Sequence, residues 1–158
     1  RQMCIRDRVR VEFGIPEVLM KGNDITIVTY GSMCRIVSEA ALQLSQIGIS
    51  CEVIDVRTLL PFDKKNVILN SIKKTNRVIV AHEDHLTSGF GAEISAQIAD
   101  IGFKYLDAPV KRIASKDVHI AYSPNLENEI LVQTEWIVKM IKEIASAHPE
   151  FLLYLSAG

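Results

Sequence analysis

Between Pro16 and Ala145 the chain alternates two kinds of pattern. Short runs are almost continuously apolar, and between them apolar residues recur every three or four positions. The first pattern fits strands buried on both faces, the second helices with one buried side. "PEVLMKGNDITIVTYG" reads as two extended runs around Lys21-Gly22-Asn23-Asp24, a hairpin-type turn. The second run, Ile25 to Tyr30, predicts a buried strand that stops at Gly31-Ser32. Met33, Ile36, Val37, Ala40, Ala41, Leu44 and Ile47 then keep helical spacing up to Gly48. A strand follows over Cys51–Val56. Pro61 breaks the connection, and Asp63 is placed to cap a helix carrying Val67, Ile68 and Ile72. Arg77 to Ala81 is the third buried strand. Ala92 to Ile101 reads as a helix buried through Ile94, Ile98 and Ile101 and ended by Gly102. "APVKRIAS" is a fourth strand, entered through Pro109. After a long polar connection, Ile130 to Ala145 is amphipathic through Ile130, Ile137, Ile141 and Ile144, and forms the closing helix.

Strand and helix alternate with short connections throughout. This predicts a three-layer α/β domain with a mostly parallel, doubly wound sheet. The first run, pairing through its tight turn, would be an antiparallel edge strand. The domain is expected over residues 11–147. Residues 1–10, opening "RQMCIRDR", carry charge without apolar period, resemble a translated adapter remnant and are expected to be foreign to the fold. Residues 148–158 end in the apolar burst "FLLYLSAG" and read either as a docked tail or as foreign sequence.

Composition narrows the function classes. Of 158 residues, 48% are apolar and 23% charged, which is globular composition. A formal net charge of −1 gives no electrostatic reason to expect nucleic acid or an anionic membrane as partner. No apolar run approaches the roughly 20 residues that span a bilayer. Cys4, Cys34 and Cys51 lack CxxC spacing, which suits free thiols in a reducing compartment and argues against zinc. The expected location is the cytoplasm, or the mitochondrial matrix for a eukaryotic source.

Ligands of open α/β sheets sit beyond the carboxyl ends of the strands. Three segments lie there: Thr29 to Ser32, Asp55 to Pro61, and His82 to Gly91. In the last, backbone amides opening the next helix are candidates to hold an anion, and His82 or His85 to move protons near neutral pH. Against this, His82 and Glu83 are neighbours on a strand and point to opposite faces, so they cannot serve one atom. Gly89-Phe90-Gly91 is not GxGxxG, since residue 94 is isoleucine. Phosphate-loop, nucleophile-elbow and HExxH patterns are missing as well. Ser32 follows a strand as a nucleophile would, but its expected role is helix N-cap. Cys34 is expected to be buried rather than activated. Arg57 is expected to form a salt bridge, with Asp63 or across an interface. Trp136 reads as core or contact surface. The residues alone yield a fold without a self-sufficient active site.

A resemblance accounts for that mismatch. "DITIVTYGSM", "GISCEVIDVRTLLPFD", "SIKKTNRVIVAHEDHLTSGFGAEISAQIAD", "LDAPVKRIASKD" and "NLENEIL" occur in this order over about residues 12–146. Together they resemble the C-terminal domain of the β subunit of thiamine-diphosphate-dependent 2-oxo acid dehydrogenases, the domain type that also closes transketolases. "HEDHLTSGFGAEI" is nearest in style to the branched-chain (2-oxoisovalerate) enzymes, with pyruvate dehydrogenase beside them. The resemblance implies a parent enzyme that uses thiamine diphosphate and Mg, bound by regions this chain does not carry, with no cofactor on the chain itself. It implies as partners an α subunit or α region, a second β subunit and a lipoyl acyltransferase core, and neither nucleic acid nor membrane. It implies roles in subunit assembly, in the active-site entrance and in acyltransferase docking. Carried to matching positions, the family's characteristic residues are Tyr30, Gly31, Asp55, Arg57, Thr58, Pro61, Glu83, Gly89, Gly91, Glu93, Pro109 and Arg112. Tyr30, Gly31, Arg57, His82, Glu83, His85, Gly89, Gly91 and Glu93 are the candidate interface or entrance residues; catalytic and metal-binding residues are not expected. The family's proline-rich stretch after the fourth strand is reduced to Pro124. The competing readings are the same domain of a transketolase or deoxyxylulose phosphate synthase, a stand-alone binding module, and an independent small-molecule enzyme with a pocket around Tyr30, His82 and Glu83.

Overall fold

The computed structural model describes residues 11–147; the expectations for residues 1–10 and 148–158 lie outside them. Five strands, β1 (Glu17–Met20), β2 (Ile25–Thr29), β3 (Cys51–Asp55), β4 (Val78–His85) and β5 (Lys111–Ser115), form one sheet in the order β1-β3-β2-β4-β5. All neighbours are parallel except β1 and β3. Helices α1 (Met33–Ser45), α2 (Val67–Thr75), α3 (Phe90–Gly102), α4 (Pro124–Ile130) and α5 (Thr134–Ala147) complete the domain.

The sheet is buried on both faces, which is why its strands read as continuous apolar runs. Ile25, Ile27, Val53, Ile79 and Ala81 face α1 and α5 in one cluster, with Met33, Val37, Ile137 and Ile141 at 1% exposure or less. Val28, Ile54, Val78 and Val80 face α2 and α3, meeting Ile68, Ile72, Ile94 and Ile98. Thr26 breaks the apolar run on this second face. Its buried Oγ1 bonds Ser71 Oγ at 2.6 Å and Thr75 Oγ1 at 2.7 Å beneath α2.

The antiparallel edge strand is present, but the hairpin is not. β1 pairs with β3, Glu17 opposite Asp55 and Val18 opposite Ile54. The turn residues instead cross the start of β3. The Asn23 and Asp24 amides donate to Ser50 O at 3.2 and 2.9 Å. Gly22 lies so close that a Cβ there would come within 2.2 Å of the Cys51 carbonyl carbon.

Two further boundaries and one burial differ from the sequence reading. β4 runs on to His85, with its register against β5 interrupted between Ala81 and His85. The closing helix starts at Thr134 rather than Ile130, because Leu131–Gln133 separate it from the short α4. Ile101 is 43% exposed, one position off the buried Ile94–Ile98 stripe of α3. Asp63 does cap α2, from four residues upstream: its carboxylate accepts the Val67 and Ile68 amides at 2.6 and 2.9 Å. Burial pushes its pKa up although these bonds oppose the shift.

Candidate functional site

The carboxyl ends of β2, β3, β4 and β5 bring the candidate residues together. His82 follows Val78 and Val80 on the alternation of β4, so its imidazole turns inward and is 0% exposed. Glu83, its neighbour, turns out to solvent. Two glycines make room for the ring. A Cβ on Gly91 would come within 2.0 Å of His82 Cδ2, and one on Gly89 within 2.9 Å of His82 Cε1 and 2.1 Å of His85 O. Tyr30 stacks over the imidazole, ring centres 6.3 Å apart and 10° from parallel, and Phe90 meets Tyr30 edge-on at 6.5 Å.

Neither His82 nitrogen has a hydrogen-bond partner. Burial holds the His82 pKa below the ordinary histidine value, Asp84 opposing the shift and Arg112 adding to it. Of the two expected proton carriers, His82 is therefore a sealed, neutral ring, whereas His85 is exposed. Burial, then the charges of Asp84 and Glu83, raise the Tyr30 phenol.

The anion expected at the start of α3 is supplied by the chain itself. Asp84 Oδ2 accepts the Phe90 amide at 3.3 Å, and its Oδ1 the His85 amide at 2.9 Å. These bonds, led by that from His85, hold the Asp84 carboxyl below the usual range. Ser32 occupies the N-cap position of α1 without capping it; its hydroxyl donates to Glu83 Oε2, joining the ends of β2 and β4. Gly31 between them is exposed at φ +64°, a left-handed conformation suited to glycine. His85 Nε2 lies 3.2 Å from Val118 O. Glu93 is exposed in the first turn of α3 and accepts Gln97 Nε2 at 2.9 Å, away from this cluster.

Arg57 stands apart. It bridges Glu17 on β1 rather than Asp63, whose carboxylate is committed to α2. Its amide donates to Asp55 Oδ1 at 2.9 Å, and it adopts φ +60°. Thr58 accepts the Gly14 amide at 2.6 Å and donates to Pro61 O at 3.3 Å. Cys34 is half-buried beside Asp55, and burial with that carboxylate pushes its thiol up to about 12, so it is not activated. Trp136 is half-buried under the Lys116 ammonium, 5.5 Å from its ring centre.

Sequence reasoning missed Thr87, Ser115 and Asp117, which fasten the His82–Gly91 loop to the end of β5. Asp117 accepts the Thr87 amide at 2.9 Å and its hydroxyl at 2.6 Å, and Ser115 Oγ donates to Glu83 O at 2.6 Å. These pairs are about 30 residues apart in the chain, so no local pattern announces them. Arg112, singled out by the family resemblance, donates to Leu86 O at 2.6 Å.

Among the described residues no group of three or more His, Cys, Asp or Glu is arranged to hold a metal ion. At the strand ends the Phe90 amide is taken by Asp84 and the His82 ring is buried. A cavity of about 200 Å³ lies at the opposite, amino end of the sheet, between Ile25, Val78, Pro109 and Ile144. Among the described residues no helix is long and apolar enough to cross a membrane.

A five-stranded, mostly parallel sheet with one antiparallel edge and helices on both faces is the architecture of transketolase C-terminal domains. The family profile "Transketolase, C-terminal domain" matches residues 15–137, and the chain belongs to that family. A split-gene transketolase, solved as an inactive β4 tetramer, superposes with a TM-score of 0.72 at 27% identity, over 85% of this chain and 43% of its own. Among curated relatives, the mitochondrial pyruvate dehydrogenase E1 component subunit beta of Dictyostelium discoideum is 43% identical over 134 residues, 85% of this chain and 37% of the relative. The mitochondrial 2-oxoisovalerate dehydrogenase subunit beta 2 of Arabidopsis thaliana is 45% identical over 120 residues, 73% of this chain and 33% of the relative. The chain thus spans about two-fifths or less of the length of these relatives.

Proposed function

We propose that the chain is the C-terminal domain of the β subunit, or of the β region of a fused chain, in the decarboxylating component of a 2-oxo acid dehydrogenase. In this reading it serves subunit assembly, shapes the active-site entrance and offers a docking surface to the lipoyl acyltransferase core. Its partners are an α subunit or region and a second β subunit, in the cytoplasm or mitochondrial matrix. Thiamine diphosphate and Mg bind to other regions of the parent enzyme. The observation that carries the non-catalytic role is the sealed His82. Of the two histidines at these strand ends His82 is 0% exposed, and the loop that carries the exposed His85 is fastened to the end of β5. Identity of 43–45% to β subunits of pyruvate and 2-oxoisovalerate dehydrogenases supports the choice of parent over a transketolase.

The test is the gene upstream of the codon for Val11. The reading frame is expected to continue into a region that activates the cofactor's pyrimidine. A start codon just before Val11 with no such region nearby overturns the reading. In parallel, calorimetric titration of thiamine diphosphate with Mg into the chain is expected to give no heat of binding; saturable binding would place the cofactor here instead.

A further inference from the structure

The cavity of about 200 Å³ at the amino end of the sheet has a place set by the strand register. Lys111 opens β5 opposite Ile79, and Arg77 precedes Ile79 by two residues. Both side chains therefore belong to the face that carries Ile79 and Ile113, the face covered by α5. Ile141 and Ala145 of that helix close over Ile25 in the first cluster. β5 is the edge strand, however, and Pro109 and Lys111 at its start stay exposed, so the cavity opens to solvent there.

Its lining divides into an apolar body and a cationic rim. Ile25 and Val78 are each 3% exposed, and Ile144 is half-buried beside them. Arg77 and Lys111 supply the charge, and no carboxylate joins them in the lining. Asp24 lines only the adjoining gap of about 10 Å³, and its Oδ2 accepts the Ser50 amide at 2.6 Å. Among the described residues the Lys111 ammonium has neither ion pair nor hydrogen bond. An apolar cavity of about 150 Å³ accepts a benzene ring, so this one admits a ring with a short arm. Apolar walls with one or two placed polar groups are the make-up of a small-ligand site.

We propose that the amino-end cavity binds a small carboxylate with an aromatic or cycloalkyl body, the ring against Ile25, Val78 and Ile144 and the carboxylate paired with Lys111. Burial of the ring supplies the affinity, and the cationic rim selects the anion over its neutral analogue. The inference stands whichever parent enzyme the chain belongs to, so it holds or fails apart from the reading above.

The test titrates the full chain, isotope-labelled in its isoleucine and valine methyl groups, with phenylacetate and follows it by methyl NMR. The Ile25, Val78 and Ile144 signals are expected to shift together and to saturate with a Kd on the order of 1 mM. Those of Ile68 and Ile94, outside the lining, should stay in place. Phenylacetamide keeps the ring and loses the charge; it should bind about fivefold more weakly, the upper range for an exposed ion pair. Lys111→Gln should remove most of that preference, and Lys139→Gln, an exposed lysine of α5 outside the lining, should keep it. Ile144→Trp should fill the cavity and abolish binding, with Ala108→Leu, also in the lining, as a second filling variant if the first does not fold. Shifts that fail to saturate, or that spread beyond the lining, overturn the proposal. So does unchanged binding in a folded filling variant. Equal affinity for acid and amide overturns it as well, since the rim would then select nothing.

Discussion

Replacing Gly91 with alanine isolates the contact on which the candidate site is built. In an ordinary exposed helix the change stabilises by roughly 0.8–1 kcal/mol. Here the new methyl would lie 2.0 Å from His82 Cδ2 and 2.1 Å from Nε2, where 3.4 Å or more is ordinary contact. The ring cannot retreat easily, since Tyr30 covers it and it is wholly buried. Overpacking a close-packed interior costs about 1–3 kcal/mol, and an overlap this deep belongs at the upper end. The net expectation is a loss of about 2 kcal/mol, or roughly 6–8 °C in Tm for a domain of this size. His82→Ala removes the obstacle. Because no hydrogen bond is lost with the imidazole, that variant loses only the packing against Tyr30 and leaves a cavity, offset by relief of two unpaired buried nitrogens. In that background Gly91→Ala should be neutral or slightly stabilising, giving a coupling of about 2–3 kcal/mol in a double-mutant cycle. Urea unfolding followed by circular dichroism at pH 8 measures all four corners. A loss on Gly91→Ala that is the same in both backgrounds, to within about 0.5 kcal/mol, refutes the steric argument.

Three further outcomes are expected. His82 is neutral in the folded chain and takes up a proton more readily when unfolded. Its contribution is therefore fully present above about pH 6.5 and is lost as pH falls toward the folded value, with a slope of at most about 1.4 kcal/mol per pH unit; Tm measured from pH 8 to 5.5 should flatten in His82→Leu, and an unchanged slope would assign the acid sensitivity elsewhere. With Cys4 replaced by serine, Cys34 and Cys51, both pushed up to about 12, should resist a disulfide reagent at pH 8 until the chain unfolds, and Asp55→Asn should speed labelling of Cys34 alone. Asp63→Ala deprives two amides at the start of α2 of their acceptor and should cost about 1–2 kcal/mol, with Asp63→Asn intermediate, read from the same urea curves.

The strands and the three long helices were legible because burial on both faces writes itself as apolar runs, and burial on one side as a period near 3.6. The partner of β1 was not. A short run beside a Gly-Asn turn signal reads as a hairpin, and only the close fit of Gly22 against Cys51 sends the turn across β3. His82 shows the same division. Its residue type suggests proton transfer, yet its even register with Val78 and Val80 already pointed inward, and Gly89 and Gly91 are spaced to admit its ring. Capping is a local habit, so the sequence reads Ser32 as the cap of its own helix. Its actual partner, Glu83, is 51 positions away. Local chemistry is readable from the chain, whereas pairings that close long loops need the fold.

The placing of α5 has a consequence for how this polypeptide leaves the ribosome. Ile137 and Ile141 share one cluster with Met33 and Val37, so the last helix covers the same side of the sheet as the first. Between the end of α1 at Ser45 and the end of α5 at Ala147 lie 102 residues of synthesis (147 − 45). At about 5–20 residues per second, that side stays half-uncovered for on the order of 5–20 seconds. For that interval the nascent chain offers an oily surface to chaperones and to its neighbours on the same messenger. A stop codon anywhere before Thr134 would make that exposure permanent.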